Sequence, residues 1–236
     1  AGVIFLRTTM INIYNSSEFE LLLSALSRDI VNANIYYKLL KDINSELESK
    51  PLVAIQSRAF WSLTQESLLI STTTLLCRAY DQNNKSLSLH NLLLTITENM
   101  LLFDEASFRE RKKGNPFVDS LAQSPRKPDV ELLKDDIALC SKKDELVKNL
   151  TVHRGSTLAH LNAKNIVKKN NINDKNPLPF ADLGILLARA KEILNRYSSL
   201  FSASTYSTQI IGHDDFKYIF ECVENTVLEL QKKREE

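Results

Sequence analysis

The stretch from Asn149 to Asn162, N-L-T-V-H-R-G-S-T-L-A-H-L-N, holds the side chains best suited to chemistry. An imidazole such as that of His160 changes charge near neutral pH and can take or give a proton. A guanidinium such as that of Arg154 stays charged and presents a planar fork of donors, which suits an anion whose charge grows in a transition state. On a helix turning about 100° per residue, Leu150, Arg154, Leu158 and Leu161 share one face. Asn149, His153, Ser156 and His160 form a neighbouring polar face. A cation at the edge of an apolar stripe is costly unless it meets a partner, which predicts an interface or a nearby carboxylate for Arg154. The competing reading is structural: an interfacial arginine, and a histidine satisfied by a carbonyl or carboxylate. Gly155 costs a helix interior roughly 1 kcal/mol against alanine. It signals either a close backbone approach or a local irregularity, and composition does not choose between them.

The remaining candidates are weaker. His153 lies one heptad before His160 and reads as a supporting or surface residue. His90 follows Ser88 and Leu89 at the start of a helix, where capping or packing accounts for it. His213-Asp214-Asp215 lacks further ligands, and a helix N-terminus explains the acids. The expectation is therefore no metal and no cofactor. Arg109, Arg111, Lys112 and Lys113, with Lys164, Lys168 and Lys169 beyond the motif, offer a track for a phosphate backbone or an ordinary solvated surface. The patterns G-x-x-x-x-G-K-[ST], G-x-S-x-G and H-E-x-x-H are absent, which removes several common enzyme classes.

The elements that must position these residues are helical. Apolar residues from Phe19 to Leu47 recur every three or four positions and predict a helix over about Ser17 to Ser49. Pro51 suits the first turn of a second helix reaching about Tyr80. Its centre, Ser71-Thr72-Thr73-Thr74, is made of poor helix formers, so burial must hold it. Asp81 to Asn84 reads as a turn, and Ser86 or Ser88 caps a helix running to about Leu102. The pattern breaks over 103–129, a basic connection holding Gly114 and three prolines. Further helices are expected from Asp129 to Leu161, from Ala181 to Phe201, and from a cap at Asp214 to the charged tail. With no internal repeat, this is an all-α, up-and-down antiparallel bundle.

Totals bound the rest. The 236 residues include five glycines and six prolines, so breakers are scarce and long helices are favoured over many short strands. A chain of this size hides about 70% of its unfolded surface and needs no staples. Net charge of +1 gives no global pull toward nucleic acid or anionic membrane. Cys77, Cys140 and Cys222 lie far apart without C-x-x-C spacing, which predicts reduced, buried thiols in a cytoplasmic protein. No apolar run approaches the roughly 18 residues of a membrane span. Residues 1–9 precede Met10 and read as a non-native or processed extension, leaving 10–236 as a single domain.

Arg154-Gly-Ser-Thr-Leu-Ala-His160 resembles the R-x(4–6)-H signature of the HEPN superfamily, and Leu-Ala-His resembles its abortive-infection, AbiU-like branch. Phe60-Trp61, then Leu75-Leu76-Cys77-Arg78-Ala79-Tyr80-Asp81 and Ser88-Leu89-His90, are similar to that branch's first conserved block. The resemblance implies a four-helix core with additional helices, dimerising with motif helices face to face. It implies a metal-independent RNase of a toxin–antitoxin or phage-defence system, with RNA as substrate and an antitoxin as a further partner. Arg154 and His160 are then the catalytic pair, with His153, Ser156 and Asp81 as accessories. On a straight helix the pair is about 120° apart, so a two-fold dimer is what brings two copies of each into one cleft. Active members often carry Asn, Asp or His directly after the arginine, where this chain has Gly155. The alternative is a non-catalytic helical module that binds a protein, nucleotide or RNA through the same face.

Overall fold

A 34-residue helix, α1 (Ser16–Ser49), opens the computed structural model, which describes residues 11–155, 176–209 and 212–236. Asn15 accepts from the Glu18 N–H at 2.9 Å, and Glu18 reaches back to the Tyr14 N–H at 2.8 Å. This reciprocal pair satisfies donors that a helix start otherwise leaves orphaned.

The second predicted helix is two. Pro51 begins α2 (Pro51–Gln56), Ser57 leaves the helical region at φ −140° and ψ 50°, and α3 (Arg58–Ala79) follows. The Ser57 carbonyl accepts from the Trp61 N–H at 3.1 Å, so the break costs no bond at the start of α3. Ser88 is the cap of α4 (Leu89–Glu98), and a 3-10 turn (Met100–Phe103) completes that stretch.

Two corrections concern the connections. The basic segment 103–129 contains α5 (Glu105–Arg111) and α6 (Val118–Ala122). Asp104 caps α5 by accepting from the Ser107 N–H at 2.6 Å. The helix expected from Asp129 divides into α7 (Val130–Leu139) and α8 (Glu145–His153). Asp129 and Asp144 cap these two starts, each accepting an N–H three residues on, and Ser141 bonds back to the Ala138 carbonyl. Short polar side chains that offer the backbone alternative partners are what end and restart the helix. Then come α9 (Phe180–Ser202), ending at Ala203 in the left-handed region (φ 54°), and α10 (Phe216–Glu235), whose N-cap position is Asp215 rather than Asp214. The expected all-α bundle is what the described residues form, without a strand among them.

The described residues pack as two compact units. The first takes those of Ala1–Val31 and Thr74–Tyr206. Its core joins Phe19, Leu23 and Ile30 of α1, Leu76 of α3 and Tyr80 just after it, Leu92 and Ile96 of α4, and Leu186, Ile193 and Phe201 of α9. Phe19, Phe103 and Phe201 form a ring cluster with centroids 4.7–5.5 Å apart. Two buried polar side chains of this core are paired. The Tyr80 hydroxyl donates to the Leu186 carbonyl at 2.9 Å, and Asp136 accepts from Tyr197 at 2.8 Å and Arg196 at 2.5–2.6 Å.

The second unit takes Asn32–Thr73 and the described residues of Ser207–Glu236. Ile43, Val53 and Phe220 form its core, with Leu39, Leu47, Trp61 and Phe216 packed against them. Trp61 lies on Phe220, ring centroids 4.7 Å apart, and Lys50 pairs with Glu224 at 2.5 Å.

Candidate functional site

Arg154 sits at the end of α8, where the backbone leaves α-helical spacing and Arg154 and Gly155 enter a π-helical turn. A Cβ built on Gly155 would meet none of the described residues within 4 Å, and its φ is not in the left-handed range. Of the two readings of this glycine, the structure therefore supports local irregularity and not a close approach. Such widened turns recur at functional sites in helices.

The carboxylate demanded by Arg154 is Asp81. Nη1 of Arg154 lies 2.5 Å from Oδ1 of Asp81, with the two side chains 39% and 11% exposed. Asp81 lies two residues beyond the end of α3, at the turn read from Asp81 to Asn84, and its position is over-determined. Its Oδ1 also accepts the Asn83 N–H at 3.1 Å, and its Oδ2 accepts the Ser86 hydroxyl at 2.9 Å. Burial pushes the carboxyl's pKa up, but the bonds from Arg154, Asn83 and Ser86 outweigh it and hold the group below the ordinary carboxylate value. The outcome is an anionic clamp on a half-exposed guanidinium.

Cys77, one turn before Asp81, is buried and directed at the Leu150 carbonyl at 3.9 Å. Burial pushes its thiol pKa up to about 12, so it offers packing and no thiolate. Cys140 is likewise buried and raised to about 12, whereas Cys222 is exposed, contrary to expectation.

His153 donates through Nε2 to the Asn176 carbonyl at 2.6 Å, and Asn149 donates to the Pro177 carbonyl at 3.0 Å. These polar residues pin α8 to the segment entering α9. Ser156, His160, Lys164, Lys168 and Lys169 lie outside the described residues, so of the motif pair the structure positions Arg154.

In the basic segment, Arg109 pairs with Glu105 at 2.8 Å and with Asp119. Arg111 lies 4.0 Å over the Phe201 ring and donates to the carbonyls of Leu102 (2.6 Å) and Phe201 (2.8 Å). Arg126, which carried no functional reading, donates to the Ser199 carbonyl at 2.7 Å and to that of Leu121, and stacks 4.3 Å over Phe108. The guanidiniums of Arg111 and Arg126 cap the C-terminal end of α9, where a helix leaves carbonyls unsatisfied. Lys113 lies 3.6 Å from Glu110, and Lys112 terminates α5. His90 contacts the Asn91 side chain at 3.4 Å, within the structural role assigned to it. Among the described residues no group of His, Cys, Asp and Glu is arranged to hold a metal ion, and no helix is long and apolar enough to cross a membrane.

An all-α bundle carrying a clamped arginine at the start of the R-x5-H segment has the architecture of a HEPN-class protein. The family model HEPN_AbiU2, described as AbiU2, matches residues 16–219, and the chain belongs to that family. The match takes in both conserved blocks and nearly all the described helices. No curated protein and no solved structure matches the chain.

Proposed function

We propose that this protein is a metal-independent endoribonuclease of an abortive-infection or toxin–antitoxin system, acting at a dimeric site built from Arg154 and His160. His160 takes the ribose 2′-OH proton or protonates the leaving 5′-oxygen. Arg154 holds the scissile phosphate and offsets the charge that grows on it. The observation that carries the reading is the Arg154–Asp81 pair. A permanently charged fork is anchored at one nitrogen, half-open to solvent and aimed by a carboxylate that is itself held by two further donors. A purely interfacial arginine needs no such preset orientation, whereas a phosphate-binding one gains from it.

Self-association is part of the proposal, because a single helix separates the two residues angularly. The exposed apolar residues Phe60, Leu63 and Ile70 of α3 offer a second copy a surface to pack on. An antitoxin is the expected regulatory partner and RNA the substrate.

The test is direct. The purified protein is incubated with varied RNAs in EDTA, beside Arg154→Ala and His160→Ala, with helicity and dimerisation followed in parallel. Cleavage, or growth arrest on expression, by wild type alone is expected. Identical behaviour of all three proteins refutes catalysis. One observation favours a second reading: Gly155 stands where active members of the family often carry a polar residue. Binding without turnover, lost when Arg154 is changed, would identify a non-catalytic module.

A further inference from the structure

Within the first unit, a cleft of about 260 Å3 opens between α1 and the α3–α4 connection. Ala25, Leu26 and Leu87 give it an apolar wall, and Asp29 and Arg78 give it a charged end. Asp81 also lines it, so the cleft shares a residue with the Arg154 clamp.

Asp29 and Arg78 are an unequal pair. Nη2 of Arg78 lies 2.9 Å from Oδ2 of Asp29, yet the arginine side chain is 61% exposed and the aspartate 16%. Burial raises the Asp29 carboxyl above its ordinary value even with Arg78 and Arg28 nearby. By contrast, the Asp81 carboxylate collects enough donors to fall below its own. Asp29 therefore bears a desolvation penalty that its single close partner does not cancel, and further N–H donors would lower its energy. Ligand donors reaching this carboxylate would supply what the protein does not.

We infer that this cleft is a guanine-binding subsite for the nucleotide flanking the scissile phosphate. The two carboxylate oxygens of Asp29 match the adjacent N1–H and N2–H2 donors of guanine, and Arg78 supplies an N–H to O6. The apolar wall takes the base's face. Adenine and cytosine place a ring-nitrogen acceptor beside their amino group, against the carboxylate, and uracil has one donor between two acceptors. The inference rests on the nuclease reading for what the base is attached to, and on the cleft alone for which base it is.

The experiment is calorimetric titration of the full chain with 5′-GMP, 5′-AMP, 5′-CMP and 5′-UMP. GMP is expected to bind at least about tenfold more tightly than the others, the discrimination one bidentate base contact supplies. Asp29→Asn should erase that preference. Ala25→Trp, a substitution at an exposed position of α1 that fills the cleft without altering its charge, should weaken GMP about tenfold or more while circular dichroism stays that of wild type. Equal affinities, no nucleotide binding, or an undiminished preference in Asp29→Asn overturns the inference. Arg154→Ala and His160→Ala should keep the preference. If no RNA is cut while GMP still binds through Asp29, the nuclease reading fails and the base site stands. If RNA is cut but GMP is not preferred, the base site fails and the nuclease stands.

Discussion

Replacing Asp81 by Asn keeps the side chain's shape and removes its charge. The pair lies between two regimes. At close range two unit charges in a medium of effective dielectric about 20 attract by roughly 4 kcal/mol, most of which is offset by desolvation. Fully exposed pairs net about 0–1 kcal/mol, whereas breaking buried ones costs about 3–5. With Asp81 11% exposed but Arg154 39% exposed, a coupling of about 1–2 kcal/mol is expected between them. The measurement is a double-mutant cycle in urea with Asp81→Asn, Arg154→Met and the double variant. It carries a pH signature. The folded carboxyl sits below its unfolded value, so folding favours the ionised form. The contribution is therefore full above about pH 4, the unfolded carboxylate range, and drains away as pH falls through the lower folded value. On activity, Asp81→Asn should lower kcat more than it raises KM, because the arginine survives but its aim does not. A coupling indistinguishable from zero at pH 7, or one that grows as pH falls toward 3, would show that Asp81 does not hold Arg154 as described.

The other expectations are simpler. Gly155→Ala should be tolerated, raising stability by up to about 1 kcal/mol, since none of the described residues lies within 4 Å of the added Cβ; a loss of more than 1 kcal/mol in a thermal melt would contradict the open space. Asp136→Ala should cost about 3 kcal/mol by chemical denaturation, because it removes the buried acceptor of the Tyr197 hydroxyl and leaves Arg196 only its exposed partner Glu192. Of the three thiols, a disulfide reagent at neutral pH should label Cys222 in the native protein and all three after unfolding; rapid native labelling of Cys77 or Cys140 would refute their burial.

Much of this was legible beforehand because helix periodicity is written locally. The run from Phe19 to Leu47 places α1 within a residue of its observed start, and Ser88 is the cap it was read to be. What escaped notice were breaks made by one or two polar residues. Ser57 divides the second helix and the pair Ser141 and Asp144 divides the fourth, yet each lies inside a stretch whose apolar pattern continues across it. Asp104 starts a helix in a segment whose broken pattern and prolines predict only a connection, though a short acid three residues before Ser107 is an ordinary cap signal. For the site, a carboxylate partner for Arg154 follows from the cost of an unpaired cation, and the family resemblance points to Asp81 as an accessory. That Asp81 is this carboxylate depends on the turn that brings residues 73 positions apart into contact. Asp29 was invisible to sequence reasoning. Nothing in its neighbourhood on α1 marks it, and its partner lies on another helix.

The guanidiniums of Arg109, Arg111 and Arg126 are spent internally, on carboxylates and on the carbonyls that end α9. Counting cations along this segment therefore overstates how many counterions a polyanion would release on landing there. Each neutralised phosphate steepens a log–log plot of affinity against salt by about 0.7 for a single strand. The segment's formal charge would accordingly forecast a slope several such increments steeper than its unspent lysines can sustain.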